Sequence, residues 1–414
     1  MLVTLTYGGA PLVLNMPPHV SVHTFAPHRI EHPASFDEFH AAFRAAWKWE
    51  ITDDSSPLFV VNDAYRHTPT AVVLTWIERI LPGILQRARF LVATGAHQPP
   101  TDKDLQSIFA GHLKTIRPRV EWHVATDLAS MMKVGADSQG SDVYLHRRVF
   151  QHSPVILIGS VEPHYFAGFT GGRKSLFPGL TDLATIERNH NMAGSMAAAP
   201  MKLDGNPVAE HLESLMALID TSSVLSVQLV LDSAGTVAGF SIGDVESSFT
   251  GAATTARAMF GHTLDQPLDA VLCEMRPPLD KNMYQAQKAL ENCQQVVANG
   301  GTAIVVARCD EGVGSEFFIN EAQNWDRTNN RPGDGIYRFG SHKLSRMVAH
   351  QKRIDVRLFS SLPDAIVEKV FYHPAGDLSA LIVALAQGKS DFQLGVVYDS
   401  GHTVLGLEDG KHSS

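Results

Sequence analysis

The chain has 414 residues, 44% of them hydrophobic and 19% charged, with a net charge of −9. At roughly 100–200 residues per domain this is an ordinary globular composition for about two domains. It carries no basic block to bind nucleic acid and no apolar run near the roughly 20 residues of a membrane helix. Its three cysteines, Cys273, Cys293 and Cys309, are far apart and form no C-x-x-C pair. That excludes a disulfide framework and fits a reducing, cytoplasmic location.

In chain order, LVTLTY and PLVLNM alternate like the arms of a hairpin turning at Gly8-Gly9. Helical spacing follows over 36–51, a buried strand over 57–63, a helix over 70–89 and a strand over 89–97. Thr101 is placed to cap the next helix, with Asp104 three residues on. A strand over 119–126 precedes the apolar run Val155-Ile156-Leu157-Ile158, closed by Gly159. Repeated strand–helix units predict a parallel sheet with helices on both faces.

Polar residues fall at successive strand ends: Asp63 and Arg66, His97, His123, then His164. Active sites of open α/β sheets are built at that edge. His123 sits within a strand pattern and is expected to be a satisfied core residue. Past Gly159 come His164, Gly168, Gly171-Gly172, Arg173-Lys174 and His190. Gly171-Gly172 beside Arg173-Lys174 suits an anionic ligand. A phosphate loop would need Gly where Arg173 stands, so Gly168, Lys174 and Ser175 match it only in part.

After His190 a small-residue loop leads to Asn206-Pro207 and a helix, then a hairpin about 232–235 and a helix from 246. The polar stretch 263–269 is read as the boundary between domains 1–265 and 266–414. Beyond it lies a strand–helix–strand unit, its helix closed by Gly300-Gly301. Tyr284 and Lys288 share a face of that helix, with Gln285 beside Lys288. A helix near 341–352, a strand from 354 and a helix after Pro374 complete the chain. The fold class expected is α/β in two domains, each a mainly parallel sheet flanked by helices.

Five stretches occur in an order that resembles the lactate racemase family, whose members use a nickel-pincer nucleotide. They are NDAYRHTP, ATGAHQPPT, HYFAGFTGGRKS, TIERNH and MYQAQK. The resemblance implies that Lys174 joins the cofactor through a thioamide and that His190 ligates nickel. It makes His97 and His164 the two acid/base groups. Arg66 would bind the substrate carboxylate, with Gln285 and Lys288 reaching substrate across an interdomain cleft. Asp63, Tyr284, Gly171, Gly172 and Arg173 complete the expected cofactor set. Gln98 departs from the Arg common after the family's His.

The chemistry explains these residue types. Inverting C2 of a 2-hydroxy acid by hydride transfer needs two bases near neutrality, one per face. It also needs a planar cation for the carboxylate and a hydride acceptor, which only a cofactor supplies. Expected partners are a small 2-hydroxy acid and the enzymes that make the cofactor. Two other readings stay open: a zinc hydrolase using His97, His164 and His190, and a non-catalytic carrier of a nucleotide cofactor that keeps Lys174 and His190.

Overall fold

The computed structural model describes residues 1–408 apart from Glu31, Asp53, Ser315, Tyr337 and Phe339. Contacts divide the chain into two compact units. One comprises Arg29–His190 and Lys202–Met259; the other comprises Met1–His28, Asn191–Met201 and Phe260–Ser414.

The first unit is built on a six-stranded sheet. Its order across the sheet is Val237–Gly243, Val224–Leu231, Val155–Ser160, Leu58–Asn62, Arg89–Ala93 and Val120–Trp122. Only the edge strand Val237–Gly243 runs antiparallel. The central strands read as unbroken apolar runs because helices cover both faces. Phe59, Val61, Ile156 and Ile158 pack on one side with Phe39, Phe43 and Val73. Leu58, Val60, Val155 and Leu157 pack on the other with Leu176, Phe177 and Leu212. Ser35 with Glu38 and Thr101 with Asp104 close reciprocal caps at helices Phe36–Ala46 and Asp102–Phe109.

The second unit carries a six-stranded parallel sheet. Its order is His373–Pro374, Asp355–Phe359, Val297–Val306, Leu268–Glu274, Phe392–Val397 and Val20–Phe25. Helices Met283–Cys293 and Ser341–Gln351 contribute to the core on one face. The hairpin Leu2–Tyr7 with Ala10–Asn15 covers the other through Val3, Leu5 and Leu14.

Several elements differ from the sequence expectation. The helix expected over 70–89 is two helices, Thr70–Ile80 and Ile84–Arg87, because Pro82 and a left-handed Gly83 (φ 88°) interrupt it. The strand expected over 119–126 stops at Trp122. Helix Met283–Cys293 does not end at Gly300-Gly301. That pair lies inside strand Val297–Val306, where the register slips between Leu268/Val297 and Ala270/Thr302. Gly300 bulges there at φ 75°, and a Cβ on Gly301 would stand 2.6 Å from Asp269 O. The stretch 263–269 ends one strand, Gly261–Leu264, and begins another, Leu268–Glu274, while the contact units divide at Met259. No helix among the described residues is long and apolar enough to cross a membrane.

Candidate active site

Strand order decides where a ligand can bind in the first unit. From Leu58–Asn62 the chain moves outward to Arg89–Ala93 and Val120–Trp122. From Val155–Ser160 it moves the opposite way to Val224–Leu231. The crevice between these two neighbours is the switch point, at their carboxyl ends. Asp63 and Arg66 follow one strand; Glu162 and His164 follow the other. Arg66 Nη1 bridges the crevice to Glu162 Oε1 at 2.8 Å.

His97 stands on the turn after Arg89–Ala93, its side chain half exposed. Its Nδ1 lies 2.6 Å from the buried Asp63 carboxylate. A carboxylate only accepts, so Nδ1 carries the proton and Nε2 the lone pair. His164 has the opposite arrangement. The Ala167 N–H donates to its Nδ1 at 3.2 Å, so the neutral ring holds its proton on Nε2. The two neutral rings thus differ in tautomer.

His190 lies on helix Leu183–Asn191. Its Nδ1 donates to Ile186 O at 2.9 Å, which puts the lone pair on Nε2. Burial first, then the charges of Lys174 and His97, push its pKa down to about 4. The ring is a neutral imidazole oriented by a backbone carbonyl, as metal-ligating histidines are.

Lys174 follows Gly171-Gly172 in a single 3-10 turn, Gly172–Ser175. A phosphate loop would open a long helix here, and this turn does not. Desolvation, then Arg66, then Arg173, hold the Lys174 pKa well below the lysine range, against the pull of Glu162. Gly171 and Gly172 are required by packing. Their φ values are 75° and 52°, and added Cβ atoms would meet Val161 Cγ2 and Phe249 Cβ, each at 2.6 Å. The Gly172 N–H already donates to Gln228 at 2.7 Å, so that amide is not an open anion donor. Arg173 is buried with its guanidinium 5.0 Å from the Phe249 ring. Its effect on Lys174 is one of charge.

Sequence reasoning passed over Phe166. Its ring lies edge-on to His164 at 4.5 Å and to His190 at 5.2 Å, and Lys174 Nζ stands 5.7 Å from it. The side chain is buried, and Asn206 Nδ2 fixes its backbone carbonyl at 2.9 Å. Its position inside HYFAGF was the available signal. Glu162 was also missed. His123 is wholly buried, bonds Thr181 O through Nε2 at 2.9 Å, and is kept neutral by burial with a pKa of about 4. It is the core residue expected.

One unit therefore holds Asp63, Arg66, His97, His164, Arg173, Lys174 and His190. Tyr284, Gln285 and Lys288 stand on helix Met283–Cys293 of the other unit. Asn282 caps that helix by accepting from the Gln285 N–H at 3.0 Å. Burial raises the Tyr284 pKa to about 12. Among the described residues no group of three or more His, Cys, Asp or Glu could hold a metal ion by itself.

The family model described as the lactate racemase N-terminal domain matches residues 9–201, and the lactate racemase C-terminal domain matches residues 269–356. The chain belongs to the lactate racemase family. Lactate racemase of Lactiplantibacillus plantarum is 29% identical over 268 residues, 63% of this chain and 61% of that protein. The match thus spans less than two thirds of that relative. Lactate racemase of Thermoanaerobacterium thermosaccharolyticum is 26% identical over 373 residues, 84% of each chain. Among solved structures, the lactate racemase apoprotein of that organism superposes with a TM-score of 0.83 at 19% identity, covering 98% of this chain and 100% of that one. A protein of Thermotoga maritima reaches 0.67 at 15% identity, covering 92% and 100%. At these identities the structural matches speak for the fold, which is the two-unit α/β architecture of the family.

Proposed function

We propose that this protein is a racemase or epimerase that inverts C2 of a 2-hydroxy acid, using a nickel-pincer nucleotide joined to Lys174. The observation that carries the reading is the pair Lys174 and His190, each packed against Phe166. The amine is driven toward its neutral, nucleophilic form. The imidazole is neutral, with its lone pair on Nε2.

These residues fit the group. Thioamide formation needs an uncharged amine, and desolvation with two nearby guanidinium groups favours it. Nickel(II) accepts imidazole nitrogen beside sulfur donors, and His190 offers one such donor. A single imidazole suits a metal whose other donors belong to a cofactor; a three-histidine zinc centre is not what these residues form. Gly171, Gly172 and Arg173 shape and charge the turn behind Lys174, and Tyr284 keeps its place in the cofactor set by family resemblance.

When bound, the cofactor supplies a reversible acceptor for the C2 hydride, chemistry that no side chain offers. The chain's own residues do the rest. Arg66 takes the substrate carboxylate, with Glu162 holding its fork in place until substrate shares it. His97 Nε2 accepts the hydroxyl proton, and Asp63 stabilises the imidazolium that forms. His164, charged as the imidazolium at that stage, gives its Nε2 proton to the oxygen when the opposite face is reduced and returns to the neutral ring. In the reverse direction the two rings exchange roles, so each acts as base for one enantiomer. Gln285 and Lys288 are assigned to substrate by the family motif. The cofactor-synthesis enzymes are the implied partners, and the cytoplasm the implied location.

The test is optical. A single enantiomer of a C2-deuterated 2-hydroxy acid, given to cofactor-loaded enzyme, should lose its optical rotation and keep its deuterium. Loss of deuterium to water would point to a carbanion route. Unchanged rotation across short, acidic, aromatic and sugar-derived 2-hydroxy acids would refute the assignment.

A further inference from the structure

Helix Ser341–Gln351 buries three basic side chains along one face: Lys343, Arg346 and His350, each no more than 2% exposed. Buried charges are retained where they are paired. Their partners lie on helix Met283–Cys293, which carries Gln285 and Lys288. Lys343 Nζ donates to Tyr284 O at 2.8 Å, and Gln287 Nε2 donates to Lys343 O at 3.0 Å. Arg346 Nη2 donates to Glu291 Oε2 at 2.5 Å, and His350 Nε2 stands 3.2 Å from the same oxygen. Burial alone would raise the Glu291 carboxyl; Arg346 and His350 outweigh it and keep it ionised.

The other terminal nitrogen of Arg346 goes elsewhere. Nη1 donates to Ala193 O at 3.2 Å, Ser195 O at 2.9 Å and Ala198 O at 2.8 Å. These carbonyls belong to Asn191–Met201, the segment that leaves His190 and joins the second unit before the chain returns at Lys202. Apart from one 3-10 turn, Met192–Gly194, the segment has no regular ladder for its carbonyls. Buried carbonyls need donors. A guanidinium suits the task because its donors are fixed in a plane and it keeps its charge.

We propose that Arg346 is a positioning residue for the metal ligand: it grips the segment that begins one residue after His190, and Glu291 anchors that grip to the helix bearing Gln285 and Lys288. The inference rests on the role proposed for His190. A guanidinium placed only to satisfy Glu291 would not turn both N–H groups of Nη1 onto three carbonyls of an irregular segment. Release of the segment frees the last turn of helix Leu183–Asn191, and with it the orientation of the His190 ring.

The test uses the full chain as wild type, Arg346→Lys, and the double variant Glu291→Gln/Arg346→Met. The lysine keeps a charge but loses the fork; the double variant leaves no charge buried alone. Ser195 and Ala198 amides donate to Met192 O and Ser195 O, so their hydrogen exchange reports opening. Exchange over 192–198 should rise at least tenfold in both variants and spread into 188–191, with strand Val155–Ser160 unchanged. In cofactor-loaded protein, nickel loss to a chelator should quicken at least fivefold while the mass added at Lys174 is retained. A purely structural residue would lower the melting temperature without changing that rate. Wild-type exchange over 188–191 together with wild-type nickel loss in both variants would overturn the proposal. A wild-type chain that takes up no adduct would remove the cofactor reading, and the exchange contrast alone would then decide whether Arg346 holds the His190 helix.

Discussion

His97 and Asp63 form a 2.6 Å pair at the end of two neighbouring parallel strands, and the carboxylate is almost fully enclosed. The pair sets which nitrogen of His97 can take a proton. Asp63→Asn offers an amide that can present its N–H to Nδ1 and turn the ring to the wrong tautomer. The expected result is a fall in kcat of about 100-fold, within the 10²–10⁴ typical of general acid–base catalysis, with KM little changed. Steady-state kinetics for both enantiomers, with nitrogen NMR of the histidine tautomers, checks it. Unchanged kcat in both directions would contradict the role.

Phe166 packs against His164, His190 and Lys174. Phe166→Ala should cost about 3–5 kcal/mol of stability by opening a cavity, while Phe166→Leu should cost less and keep the fold. In the leucine variant, adduct formation at Lys174 should slow, because the surround that desolvates the amine is thinner. Denaturant titration and a time course of adduct mass read the two effects separately.

Gly172 sits at φ 52° with Phe249 directly behind it. Gly172→Ala combines a left-handed backbone with a collision, and is expected to lose about 2–4 kcal/mol. Gly235 also has a positive φ, 81°, but open space around it. Gly235→Ala should therefore lose only about 1 kcal/mol. Equal losses at the two sites would refute the packing account.

Lys343 is held at a pKa of about 7 by burial, then by Lys288, with Arg346 adding to the effect and Glu291 opposing it. The folded value lies below the ordinary 10.5, so between pH 7 and 10.5 the unfolded chain binds more protons. The lysine therefore costs stability at low pH, and wild-type stability rises through this window relative to Lys343→Met. The gap between the two should narrow by roughly 3 kcal/mol from pH 7 to pH 10. Parallel denaturation curves at several pH values would show it; a constant gap would mean that Lys343 is not desolvated.

Much of the site was legible because its residues sit within five short stretches, each at a strand end or on one helix turn. Strand–turn spacing puts Asp63, His97 and His164 at one sheet edge. Pairing at long range was not legible. Strand Val20–Phe25 joins the sheet of the second unit beside Phe392–Val397, and nothing local in either stretch names the partner. Gly300-Gly301 looked like a helix stop because a bulge uses the same residues as a cap. Phe166 reads as an ordinary core aromatic until the three groups around it are seen. Arg346 escaped notice because a basic residue on an amphipathic helix is usually solvated, and only the fold shows what it holds.

The central claim is that Lys174 is the tether of a nickel-pincer nucleotide. The most direct measurement is the intact mass of the protein made with nickel and the cofactor-synthesis enzymes, followed by mapping of the peptide that contains Lys174. An added mass on Lys174, absent from Lys174→Ala, is the predicted result. An unmodified chain under conditions that load a lactate racemase made in parallel would contradict it and leave Lys174 and His190 to some other chemistry.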